Sequence, residues 1–136
     1  MKHIPYRILP AVCIFTLTWY LSSVPGLQSD FMPVIDFTLR KGAHMVIFML
    51  QYLTLFYALL PNNISTISYD EWNELHIHTA TWCLLLALLD EWHQAFVPGR
   101  TAIPMDVVYD SIGFLLAYCL LFIIWNGVRR KPIKRG

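Results

Sequence analysis

Residues 104–128 read PMDVVYDSIGFLLAYCLLFIIWNGV. The run is apolar apart from two carboxylates, Asp106 and Asp110, both near its start. A helix needs about 20 mostly apolar residues to cross the hydrocarbon core of a bilayer. Pro104 suits the first helical turn, where its missing N–H would have no partner anyway. The segment therefore reads as a membrane span with acidic groups close to one end. Three other runs have the same character: about 7–24, closed by Pro25-Gly26; about 38–60, stopped by Pro61-Asn62-Asn63; and about 76–97, stopped by Pro98-Gly99. The expected fold is all-α, an integral-membrane bundle of four transmembrane helices in a single domain over residues 1–136.

Composition points the same way. Of 136 residues, 57% are hydrophobic and 14% charged, with mean hydropathy +0.50, against roughly 45–50% and 25% in soluble domains. That balance excludes a disordered chain and a coiled coil, and it leaves no surplus of cations for binding nucleic acid. A soluble domain this short has too little interior to hide so much apolar surface. The first run is long for a leader peptide and no A-x-A-like site follows it, so it is expected to stay as a helix. Cys13, Cys83 and Cys119 each fall inside a different apolar run, with no CxxC and no zinc spacing, and read as packing residues.

The net charge of +1 hides an asymmetry. Lys2 and Arg7 stand at one terminus, and Arg129, Arg130, Lys131, Lys134 and Arg135 at the other. Cations favour the cytoplasmic side, so an even number of spans puts both termini in the cytoplasm of an inner or plasma membrane. The basic tail is then a topology determinant and a contact for lipid headgroups. The connection Pro61 to Leu75, with Asp70, Glu71 and Glu74, shares that side. Connections 22–39 and 98–103 face outward. Trp19, Tyr20, Trp92, Tyr109 and Trp125 fall near the two interfaces, as aromatic belts do.

Nearly every other charged residue belongs to the outer end of the second, third or fourth helix. The second carries Asp36, Arg40, Lys41 and His44; the third carries Asp90, Glu91, His93 and Gln94; Arg100, Asp106 and Asp110 follow. At a rise of about 1.5 Å per residue, Glu91 lies about 9 Å inside the end of its run, and Asp110 about 9 Å inside the start of its own. Antiparallel helices would bring these groups to one layer. Lys41, His44, Phe48 and Gln51 recur at helical spacing, as do Asp106, Asp110, Gly113 and Ala117. The last two form a small-xxx-small pair that permits close helix approach. A charge deep in hydrocarbon costs at least about 2.5–3.5 kcal/mol, so these groups should face one another or a wet cavity.

Within that layer His44, Glu91 and Asp106 are the candidate catalytic residues. Histidine titrates near neutrality, and a half-buried carboxyl group is suited to general acid–base work. Lys41 and Arg100, with Arg40, suit an anionic group such as a phosphate or carboxylate, arginine in bidentate fashion. Asp90, Gln94 and Asp110 complete the candidate substrate-binding set, Asp90 orienting a cation. The same side chains read equally as a self-neutralising structural cluster. His93, two residues from Glu91, lies on another face, and Gln51 reads as a hydrogen bonder between helices. No compact metal motif or cofactor signature is present, so neither is expected.

The segments Lys41-Gly-Ala-His44, Asp90-Glu91-Trp-His-Gln94 with Arg100 six residues on, and Asp106-Val-Val-Tyr-Asp110-Ser-Ile-Gly113 resemble the VanZ-like family. Its pattern is K-x-x-H, then D-E-x-x-Q with a following arginine, then D-x-x-x-N-x-x-G. Ser22-Ser23-Val-Pro25-Gly26 is also similar. The chain departs from the pattern at Phe48, where tyrosine is frequent, and at Asp110, where asparagine is common. The resemblance implies a small multipass membrane protein of the bacterial envelope, in a family named for a member that lowers susceptibility to the glycopeptide teicoplanin. The partners it implies are membrane lipids and a lipid-linked envelope precursor or amphiphilic glycopeptide.

Three functions remain open from sequence. An intramembrane enzyme would act on an amphiphile at the outer leaflet through Glu91 or His44. A non-catalytic envelope protein would use the same residues to recognise a headgroup or partner. A small proton-coupled exporter ranks last, because such exporters place an acidic residue in the first span and 8–24 has none.

Overall fold

The computed structural model describes residues 4–24, 33–100 and 103–129, with side chains from Tyr6 onward apart from those of 33–37 and 65. Lys2, Pro25-Gly26 and the basic tail beyond Arg129 lie outside the described residues, as does the side chain of Asp36. The described chain is all-helical: α1 Ile4–Ser23, α2 Pro33–Leu59, α3 Tyr69–Gln94 and α4 Met105–Arg129, with a short 3-10 turn at Ile64–Thr66. Two segments, Thr38–Leu59 and Met105–Arg129, are long and apolar enough to cross a membrane. The third helix is diluted by acids at both ends: Asp70, Glu71 and Glu74 near its start, Asp90 and Glu91 near its finish.

Local chemistry sets the ends of α3. Ser68 Oγ accepts the Glu71 N–H at 3.2 Å, and the Ser68 N–H donates to the Glu71 carboxylate at 2.8 Å. This reciprocal cap satisfies two otherwise orphaned donors and starts the helix at Tyr69, well before the apolar stretch. The Ser68 backbone N–H, and then its hydroxyl, hold the Glu71 carboxyl below its ordinary value. At the far end Phe96 N–H turns back onto the His93 carbonyl and Val97 N–H onto Gln94, so the helix closes at Gln94 rather than Val97. Gly99 then takes φ +78°, a left-handed conformation that glycine adopts without a Cβ penalty.

Residue pairings give the helix directions. Lys41 meets Asp106 and His44 meets Asp110, so α2 and α4 run parallel. Tyr52 meets His76 while Phe56 meets Trp72, so α3 runs antiparallel to α2. Ser22 meets Asp90 near the ends of α1 and α3, and Arg7 at the start of α1 reaches the Leu60 carbonyl after α2. The order is up-down-up-down. The second and third helices each touch all the others, whereas α1 and α4 make no contact among the described residues.

The interior is more polar than the exterior. Thr18, Ser22, Gln51, Thr79, Asp90, Gln94 and Asp110 are all at most 3% exposed, while Leu85, Leu88, Leu115, Leu116 and Ile123 are 49–69% exposed. A surface so broadly apolar suits hydrocarbon, not water. The core proper is aromatic: Phe48, Tyr52, Phe56, Trp72, Phe114 and Trp125. Trp125 turns inward and stacks on Trp72 at 4.1 Å, with the Arg129 guanidinium over its other side. Of the three cysteines only Cys83 is buried; Cys13 and Cys119 lie on the outside of the bundle, and all three are free thiols. At Gly113, α4 lies against the backbone of α2: a Cβ there would strike the Met45 carbonyl oxygen and stand 3.1 Å from the Met49 nitrogen.

Candidate functional site

The helix order brings the last turns of α1 and α3 level with the first turns of α2 and α4. Each functional side chain is placed by that register. Asp106, in the first turn of α4, forms an ion pair with Lys41, whose ammonium also lies 5.8 Å above the Tyr109 ring. One turn deeper, His44 Nδ1 lies 3.6 Å from Asp110 Oδ1, an ion-pair distance rather than a tight hydrogen bond. The two pairs repeat because the α2 spacing, 41 to 44, matches the α4 spacing, 106 to 110, on parallel faces. Asp106 also benefits from the positive end of the α4 dipole.

Glu91 faces the same layer from α3. Its carboxylate accepts the Ile103 N–H, and the charges of Asp106, Asp90 and Asp110 all act on it. Its Oε2 is buried with no hydrogen-bond partner. Asp90 points toward α1, where Oδ2 accepts from Ser22 Oγ at 3.0 Å and from Gln94 Nε2 at 2.8 Å. Gln94 also reaches Ser22 at 3.4 Å. Thus Asp90 is held by neutral donors from two helices. Arg100 Nη2 donates to the Leu21 carbonyl at 2.9 Å and to Val24 at 3.4 Å, placing a cation at the negative end of α1.

A cleft of about 180 Å³ opens beside this layer between α1 and α2. Arg40, His44 and Arg100 line it together with Thr18, Leu21, Ala43 and Ile47. The cleft thus combines cationic and apolar residues, with most of its exposed wall apolar. Among the described residues, no three His, Cys, Asp or Glu side chains converge as metal ligands.

Of the residues singled out from sequence, Lys41, His44, Asp90, Glu91, Gln94, Asp106 and Asp110 thus come together in one cluster, and Arg100 borders it from the α1 side. The remaining site neighbours come from α1. Ser22 bonds Asp90, and Trp19 stacks on His93 at 4.0 Å while Ser23 Oγ lies 2.9 Å from His93 Nε2. Hydropathy hides these residues inside an apolar run; the signal for Ser22 and Ser23 was the family-like Ser-Ser-Val-Pro-Gly at the end of that run. Gln51, on the same stripe as His44, is buried with Oε1 unpartnered.

The VanZ/LLP1 family model matches residues 7–125, which takes in α2 and α3, most of α1 and α4, and every residue of the cluster. No curated protein and no solved structure matches the chain. The family model covers most of the sequence. The protein belongs to the VanZ/LLP1 family.

Proposed function

We propose that this protein crosses a bacterial plasma membrane four times, with both termini cytoplasmic, and that its polar layer binds the anionic headgroup of an amphiphile at the outer leaflet. The candidate ligands share one chemistry, a phosphate or carboxylate on an apolar body, as in a lipid-linked envelope precursor or an amphiphilic glycopeptide of the teicoplanin type. The observation that carries this reading is the cleft where Arg40 and Arg100 stand beside Leu21 and Ile47. Guanidinium groups suit such anions, and the adjoining apolar wall suits a chain. The broad apolar exterior supports the four spans, and the cations at both ends of the sequence support the orientation.

The test is lipid retention by the purified protein, measured by mass spectrometry after reconstitution with anionic and zwitterionic lipids. Wild type should retain the anionic lipid preferentially, and Arg40→Gln should lose that preference. Equal retention of both lipids by wild type would remove the proposal. A second reading, proton transfer to or from the bound amphiphile, is supported by the unpartnered Glu91 Oε2 among carboxylates. Glu91→Gln, at normal abundance, should then keep binding but abolish the effect on glycopeptide susceptibility. An unchanged phenotype would leave binding alone as the function.

A further inference from the structure

At the opposite end of the bundle, where α2 ends and α3 begins, a hollow of about 460 Å³ opens that the site above does not use. Leu59, Ile67 and Leu75 line it together with Glu71, Glu74 and His78, and no lysine or arginine does. Glu71 and Glu74 are exposed and stand one turn apart, so they share a face of α3. The Ser68 N–H occupies only Oε2 of Glu71, and Glu74 forms no ion pair among the described residues. The two described arginines at this end are turned to carbonyls instead, Arg7 to Leu60 and Arg129 to Ile67.

The second of those bonds decides what can reach the hollow. Arg129 Nη2 donates to the Ile67 carbonyl at 2.7 Å, and the stacked Trp125 and Trp72 fix the same junction one turn deeper. The end of α4 is thereby held beside a residue that lines the hollow. Seven residues follow in the sequence, Arg130-Lys131-Pro132-Ile133-Lys134-Arg135-Gly136, with a pair of cations on each side of Pro132-Ile133. Glu74 lies about 9 Å along α3 from Ser68, and five extended residues span up to about 17 Å, so both glutamates are within reach of this segment. Its pattern matches the wall: basic pairs for two acids, and an isoleucine for the apolar residues between them.

We propose that the hollow is the docking site of the chain's own segment 130–135, its basic pairs meeting Glu71 and Glu74 and Ile133 seated against Leu59, Ile67 and Leu75. Exposed ion pairs are individually weak and are screened by salt. The covalent tether at Arg129 compensates, because it makes the encounter intramolecular and holds the segment at high effective concentration. The site is separate from the anionic cleft and stands whether or not the cleft binds an amphiphile.

Zero-length carbodiimide coupling of the full chain in a neutral detergent tests it, with mass spectrometry locating the joined peptides. At low salt Lys131 or Lys134 should couple to Glu71 or Glu74, and raised salt should suppress the product. A mixture of light and isotopically heavy protein should show the coupling to lie within one chain. Ile133→Ser keeps every charge but gives up the apolar contact, and should lower the yield about tenfold. Glu74→Gln should lower coupling to Glu71 about threefold, as loss of one exposed ion pair does; circular dichroism checks that both variants keep their helix content. Reconstitution in phosphatidylglycerol vesicles offers the segment a competing anionic surface, and coupling should persist there. Absence of coupling at low salt, wild-type yield in Ile133→Ser, or loss of coupling in those vesicles would each overturn the proposal, the last by assigning the segment to the bilayer surface.

Discussion

Replacing Gly113 by alanine tests the packing that builds the polar layer. In an ordinary exposed helix position this change is favourable by about 0.8–1 kcal/mol, because glycine is the poorer helix former. At Gly113 the added methyl meets the Met45 carbonyl oxygen and stands 3.1 Å from the Met49 nitrogen. Both are backbone atoms of α2, which cannot turn aside as a flexible side chain would. Relief requires α2 and α4 to separate by on the order of 1 Å, forfeiting a quarter to a half of the dispersion energy along their contact. Overpacking of this kind costs about 1–3 kcal/mol; set against the gain in propensity, the net loss is up to about 2 kcal/mol. The same separation draws Asp110 away from His44, now 3.6 Å off, and Asp106 away from Lys41. Gly127→Ala is the internal control: it lies on the same helix, and nothing stands within 4 Å of its added Cβ. Unfolding of the reconstituted protein by a denaturing detergent, followed by circular dichroism, should show Gly113→Ala less stable than wild type and Gly127→Ala equal or more stable. If the two variants behave alike, the close backbone approach of α2 and α4 is not what holds this bundle.

Three further outcomes follow from the hydrogen bonds. Asp110→Asn, which installs the residue common in the family, should be tolerated because an amide still partners His44, whereas Asp110→Ala should cost about 1–3 kcal/mol by leaving the ring unpaired; the same unfolding titration reads both. Ser22→Ala removes one of two donors to Asp90 and should cost about 1 kcal/mol, with faster hydrogen exchange at the end of α1. Glu71 has a lowered folded value, so its capping contribution is full above its ordinary value of 4.5 and is lost as pH falls through the lower folded one. Glu71→Gln should therefore flatten the acid dependence of hydrogen exchange in the first turn of α3; an undiminished dependence would assign it to other groups.

Sequence by itself determined the helical class and the membrane character, because a run such as 104–128 has only one economical way to satisfy its backbone in hydrocarbon. It also determined which polar residues belong together. Lys41 and His44, and Asp106 and Asp110, recur at one-turn spacing, and an even helix order puts both pairs at the same end. Three things were decided only by tertiary structure. The first is pairing: spacing puts Asp90 and Glu91 on adjacent positions of one helix, but only the packing of α1 against α3 turns Asp90 to Ser22 and leaves Glu91 among the α4 acids. The second is Arg100, whose hydrogen bonds to Leu21 and Val24 span a distance in sequence that no local pattern encodes. The third is His76: hydropathy reads it as the polar edge of a span, yet Tyr52, Phe56, Trp72 and Tyr118 come from three helices to enclose it. Periodicity reports the face a residue occupies; which neighbour meets that face depends on the register between helices, set here by backbone contact at Gly113 and by the ion pairs beside it.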